Sequence, residues 1–228
     1  MTDARPRPPD PLTVTDRTRL RRSRHRGSTD RADLDAILAA GFVCHLAAVV
    51  DGCPIAVPTV YGVEGDTLYL HGSVASRSLV QAPAQTVCVT VTHVDGLVLA
   101  RSVFEHSVNY RCAMVFGVPR RVAEEEELRR GLRAVSEQCA PGQWDYARRP
   151  NRKELAATTL LALGLAEASV KIRSGPPDDG DGPDAAAGLW AGVLPLRWTW
   201  GAPEPDPALP PDVLPPDHIS SRGATAPW

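Results

Sequence analysis

The dipeptide Asp51-Gly52, set between the apolar runs 42–50 and 53–61, constrains the fold more than any other feature of the chain. Asp-Gly between two apolar stretches marks a tight hairpin, because both turn residues need positive φ, which Gly adopts freely and Asp tolerates. The punctuation recurs. Glu64-Gly65-Asp66 predicts a turn into residues 67–71, and Asp95-Gly96 predicts a second hairpin between "TVCVTVTHV" and "LVLARS". Val87, Val89 and Val91 alternate with Thr90 and Thr92, giving that strand one buried face. Further strands are expected within 110–122, 165–173 and 190–198.

Helices are few. Asp30 is placed to cap a helix bearing Leu34, Ile37 and Leu38 and ending at Gly41. Residues 124–139 put Leu128, Leu132 and Val135 on one stripe, and "NRKELAATTLLAL" (151–163) opens a helix on an Asn151/Glu154 capping box. This reads as a mainly β chain with a few helices: six antiparallel strands closing as a small barrel. So small a barrel leaves little room inside for a large ligand, so a cofactor would lie outside it or in a cleft between the subunits of a homodimer.

At 228 residues the chain is expected to be one domain with tails. The expected division is a disordered tail at 1–16, a domain at 17–200 with a flexible loop at 174–188, and a proline-rich disordered tail at 201–228. A net charge of -2 argues against nucleic acid as a partner, despite the basic stretch 17–27. No apolar run approaches the roughly 20 residues of a membrane span, and no apolar leader opens the chain, so a cytoplasmic location is the default. Five cysteines, an odd number without C-x-x-C, predict neither a disulfide framework nor a metal site. Hydrolase motifs are absent. Asp178, Asp179 and Asp181 read as solvated charge.

Chemistry concentrates in "LYLHGSVASRSL" (68–79). A strand ends at His71, turns through Gly72 and Ser73, and enters a helix at Ser76, Arg77 and Ser78. Hydroxyls, helix-start amides and a guanidinium suit a phosphate. The plainer alternatives are a His71 bonded to a neighbouring loop and a serine acting as an ordinary N-cap. Asn109, Tyr110 and Arg111 either face the same cleft or cap a strand edge. Trp190 is either core or a flat face for stacking a ring.

Three blocks carry a resemblance: residues 30–79, "VDGLVLARSVFEHSVNYRCAMVFG" (94–117) and "WAGVLPL" (190–196). Together they resemble the pyridoxamine 5'-phosphate oxidase-related proteins of the FMN-binding split-barrel fold, nearest their nitroimidazole-resistance-like branch. The resemblance implies a homodimer with FMN in the subunit cleft. By it, Val57, Pro58, Thr59, Val60 and Tyr61 meet the flavin ring edge through backbone groups. His71 and Gly72 lie beside the flavin and its ribityl chain, Ser76, Arg77 and Ser78 hold the phosphate, and Ser73 belongs to the same cofactor-binding set. Asn109 and Arg111 approach the ring, and Trp190, with Arg197, comes from the other subunit. Ser78 stands where family members often have Lys, and "LPLRWTW" (194–200) replaces the arginine-histidine substrate motif of the vitamin B6 oxidase.

The function this implies is an FMN-dependent oxidoreductase acting on a small planar or nitro-aromatic molecule, with His71 as hydrogen-bond donor or proton source. Two alternatives remain at this level. One is a haem protein using His45, His71, His93 or His106 as axial ligand. The other is a non-catalytic flavin-binding regulatory module.

Overall fold

The computed structural model describes residues 11–224. In chain order the elements are β1 (Gly27–Ser28), α1 (Arg31–Ala39), β2 (Val43–Val50), β3 (Cys53–Glu64), β4 (Thr67–Ser73), α2 (Arg77–Gln81), β5 (Val87–Leu99), β6 (Ser107–Gly117) and β7 (Arg120–Arg121). They continue with α3 (Glu125–Cys139), α4 (Gln143–Tyr146), α5 (Arg152–Ala156), β8 (Thr158–Gly164), β9 (Ala168–Arg173), β10 (Gly192–Pro195) and α6 (Asp217–Ser220). The strands pair antiparallel in the order β1-β9-β6-β5-β2-β3-β4-β8-β7, and β10 joins the far half of β5.

The mainly β class stands, but among the described residues the expected six strands are ten, and the two ends of the path do not meet. Two local causes account for most of the difference. The capping box at Asn151 is real, with Glu154 Oε2 accepting from Asn151 N at 2.8 Å, yet its helix stops at Ala156. The apolar run that follows is β8, buried on both faces between the barrel core and α3. Double burial erases the alternation that marks a strand. Asp95-Gly96, in turn, is a bulge inside one continuous β5, with the register shifting between Val94 and Gly96. A Cβ on Gly96 would lie 2.8 Å from Leu194 O, so glycine here admits β10 rather than a turn.

Asp51-Gly52 does form the hairpin, with φ of 50° and 77°, and Asp30 caps α1 by accepting from Ala32 N at 2.9 Å. The inner faces of β2, β4, β5, β8 and β9 enclose one apolar core, which α1 covers with Leu34, Ile37 and Leu38. The phenol of Tyr61, fully buried in that core, donates to Leu38 O at 2.6 Å. A second, smaller cluster lies on the outer face, where α3 crosses β3, β4 and β8 and seats Val135 against Tyr69 and Leu160. The crossing is close: a Cβ on Gly62 would lie 2.3 Å from Val135 N.

The segment after Gly201 is exposed until its last turns. There His218 Nε2 meets Gln143 Oε1 at 2.9 Å, and Arg222 donates to Cys139 O at 2.7 Å while covering the Trp200 ring. Residues 1–10 and 225–228, parts of the expected tails, lie outside the described residues.

Candidate functional site

β3 and β4 are paired only from Tyr61↔Leu70 to Glu64↔Thr67. Beyond Tyr61 and Leu70 they part. The first half of β3 runs with β2, and His71, Gly72 and Ser73 run with Leu160, Thr159 and Thr158 of β8. Between them, the facing edges of Val57–Val60 and of His71–Ser73 pair with no strand among the described residues. A strand edge left in this way presents backbone N–H and C=O groups that need water or a ligand. Leu79 of α2 plugs the wedge from the core side, its Cδ1 2.7 Å from where a Cβ on Gly72 would sit.

The mouth of the wedge carries the polar cluster. Ser76 is the N-cap residue of α2 but makes no side-chain cap bond, so the ordinary capping role is not the one it plays. Its Oγ lies 3.1 Å from that of Ser78, and Ser73 Oγ accepts from Ala75 N at 3.2 Å. Arg77 forms an ion pair with Asp51, on the β2–β3 turn, and stays largely exposed.

His71 projects from the face of β4 that holds Tyr69, opposite Leu160. The alternative that it bonds a neighbouring loop is not realised: its Nδ1 is buried without a partner. Burial lowers its pKa, so the ring is neutral near pH 7. The folded-state value lies below the unfolded one of about 6.5, so as pH falls the unfolded chain takes up the proton first. The stability this contributes is therefore present above about pH 6.5 and lost on acidification. In denaturant melts across this range, His71→Gln is expected to flatten the acid limb of the wild-type profile.

Within one chain the structure gathers Val57, Pro58, Thr59, Val60, His71, Gly72, Ser73, Ser76, Arg77 and Ser78 around the wedge, with the Tyr61 side chain turned into the core. The other expected residues lie elsewhere. Asn109 is buried, accepting from Arg173 Nη1 at 2.5 Å and donating to Gly175 O at 3.1 Å, which anchors the start of the 174–188 loop. Arg111 makes a two-point contact with Asp95 at a different cavity. Trp190 is 69% exposed and precedes β10 on the flank of β5.

Asp179 corrects the reading of the acidic loop. It is buried, and accepts from Arg101 N at 2.6 Å, Ser102 N at 3.2 Å and Arg101 Nη1 at 3.1 Å. Burial pushes its carboxyl up, but the bonds from Ser102 and Arg101 outweigh this and hold it below the ordinary value. Nothing in the Gly/Pro-rich sequence sets this aspartate apart from Asp178 and Asp181.

Residues 30–172 match the family model described as pyridoxamine 5'-phosphate oxidase. The chain is similar to the flavocytochrome Anf3 from Azotobacter vinelandii: 38% identity, 92% of this chain and 97% of that one covered, TM-score 0.87. It is similar to the FAD and haem binding protein from Mycobacterium smegmatis at 39% identity, with 87% and 97% covered and a TM-score of 0.82. A protein assigned to 5-nitroimidazole antibiotic resistance in Bacteroides thetaiotaomicron matches at 20% identity, 64% and 86% coverage and a TM-score of 0.54, which bears on the fold alone. Comparison with curated proteins gives no match. The matched span and these two relatives place the chain in the pyridoxamine 5'-phosphate oxidase family, to which it belongs.

Proposed function

We propose that the chain is a flavin-binding redox protein that holds the phosphate of FMN, or of a larger flavin nucleotide, at Ser73, Ser76, Arg77 and Ser78. The observation that carries this is the wedge between β3 and β4, two unpaired strand edges ending on a serine and arginine cluster. The groups fit the ligand. Strand edges offer alternating donors and acceptors to the rim of a ring system, and hydroxyls with a guanidinium suit a phosphate. A bound flavin would supply the electron-transfer chemistry. The chain's own part is to orient it, with neutral His71 beside the wedge as hydrogen-bond donor toward a small planar or nitro-aromatic substrate. A homodimer would complete this site, with exposed Trp190 supplied by the second copy.

Haem is the second reading, and the named relatives favour it, one being a flavocytochrome and one an FAD and haem binding protein. Haem iron is held by a neutral imidazole nitrogen. His93 and His106 spend Nε2 on Ile37 O (2.9 Å) and Ala100 O (3.2 Å), and His45 is exposed on the sheet. His71, half-buried, carries an unpartnered Nδ1 at the wedge itself and is the first candidate, whereas the nitrogen left to His93 and His106 is Nδ1.

The test is the visible spectrum of the freshly purified protein, with chromatography of what denaturation releases. Flavin bands and released FMN or FAD support the first reading, and a Soret band lost in His71→Ala supports the second. A colourless protein that takes up neither added group would overturn both. A protein that binds flavin but transfers no electrons from a nicotinamide donor would leave the non-catalytic module as the function.

A further inference from the structure

We propose that the cavity beside the β5 bulge is a second binding site, for a flat, uncharged heteroaromatic molecule with a donor and an acceptor on one edge, as in a lactam or ring carboxamide. The cavity has a volume of about 450 Å³, within the range of small-molecule sites. Its lining shares no residue with the β3–β4 wedge, and the proposal does not depend on the flavin reading.

Its polar groups form a matched pair. His93 of β5 and Arg111 of β6 are cross-strand partners, so their side chains leave the sheet side by side on one face, with Cβ atoms roughly 5 Å apart. His93 Nε2 lies 2.9 Å from Ile37 O, an acceptor only, so the ring proton sits on Nε2 and Nδ1 keeps its lone pair. Gly41 holds the ring in place from behind: a Cβ there would lie 2.6 Å from His93 Cε1. Arg111 gives Nε and Nη2 to Asp95 at 3.0 and 2.8 Å, which leaves Nη1 to donate. An acceptor thus stands next to a donor, the complement of an N–H beside a C=O.

Asp95 also decides the ligand's charge. It neutralises Arg111 and lines the same cavity, so an anionic ring would meet a carboxylate as well as a cation. The walls are flat and apolar. Phe42 and Trp200 stack at 5.9 Å with planes 23° apart, and Trp198, Val43 and Val94 share the rest of the lining with Thr92 and Thr199. Aromatic walls favour a stacked ring beyond the area it buries.

The experiment uses the full chain with its tryptophan indoles labelled with nitrogen-15. Lumazine, flat and neutral with lactam edges, is titrated against 2-naphthoate, flat and anionic without a ring N–H. The expected result is a saturable shift of the Trp198 and Trp200 indole signals with lumazine. His93→Phe and Arg111→Met should each weaken it at least ~10-fold, and His71→Ala should leave it unchanged. If His93→Phe does not fold, Arg111→Met alone decides. Absence of a saturable shift, an affinity unmoved by the Arg111 change, tighter binding of 2-naphthoate, or loss of the shift in His71→Ala would each overturn the proposal. Failure of the flavin reading leaves these outcomes untouched.

Discussion

Gly62→Ala is expected to lower stability by about 3 kcal/mol, the upper end of what overpacking costs. The added methyl would lie 2.3 Å from Val135 N, 2.4 Å from Ala134 C and 2.6 Å from Val135 Cα. All three are backbone atoms in the body of α3, so no rotamer change relieves the contact and the helix must lift from β3. Lifting it strips cover from Val135, Tyr69 and Leu160, which form the outer cluster. The gain alanine brings over glycine in a strand, about 0.5–1 kcal/mol, is too small to offset this. In a chain of this size the loss appears as a fall in Tm of roughly 6–12 °C. A midpoint within error of wild type in urea melts, at unchanged m-value, would mean that α3 is not seated on β3 as described.

Arg77→Ala is expected to weaken FMN binding by about 10–150-fold, the worth of one charge-assisted hydrogen bond. On the proposed reading the effect is large because Ser78 supplies no cation, which leaves the phosphate charge to Arg77. In the structure that charge is held by Asp51, across the wedge mouth on the β2–β3 turn. Phosphate must take the guanidinium from the carboxylate, so Asp51→Asn is expected to move affinity the other way. Asparagine tolerates the φ of 50° at this position, so the hairpin is preserved. Titrations followed by flavin fluorescence would measure both. Parallel losses in the two variants would show that the ion pair builds the site rather than competes for it.

The hairpins were legible because their turns need residues with positive φ: Asp51, Gly52 and Gly65 occur where Asp-Gly and Glu-Gly-Asp stand in the sequence. Asp95-Gly96 carries the same letters for another reason, the close approach of β10, and letters do not distinguish a turn from a contact made by a distant strand. β8 was hidden by burial on both faces, and β1 and β7, of two residues each, are too short to show any period. The serine and arginine cluster was visible as composition at one junction. The unpaired edges that make it a site come from where β3 leaves β4, a property of pairing that no single segment encodes. The His93–Arg111 pair joins residues eighteen apart on two strands, and only the register sets them side by side.

The walls of the second cavity have a further consequence. Trp198 and Trp200 lie beyond residue 172, where the family match ends, and Trp200 is in contact with both Phe42 and Arg222. The barrel core takes nothing from this stretch, since its members end at Val170 and Ile172. On that proposal, substitutions at Trp198 and Trp200 would reshape what the cavity accepts without touching the barrel core. An affinity tag or a protease cut at that end falls on the same segment, and would alter ligand choice in a protein whose melting curve looks untouched.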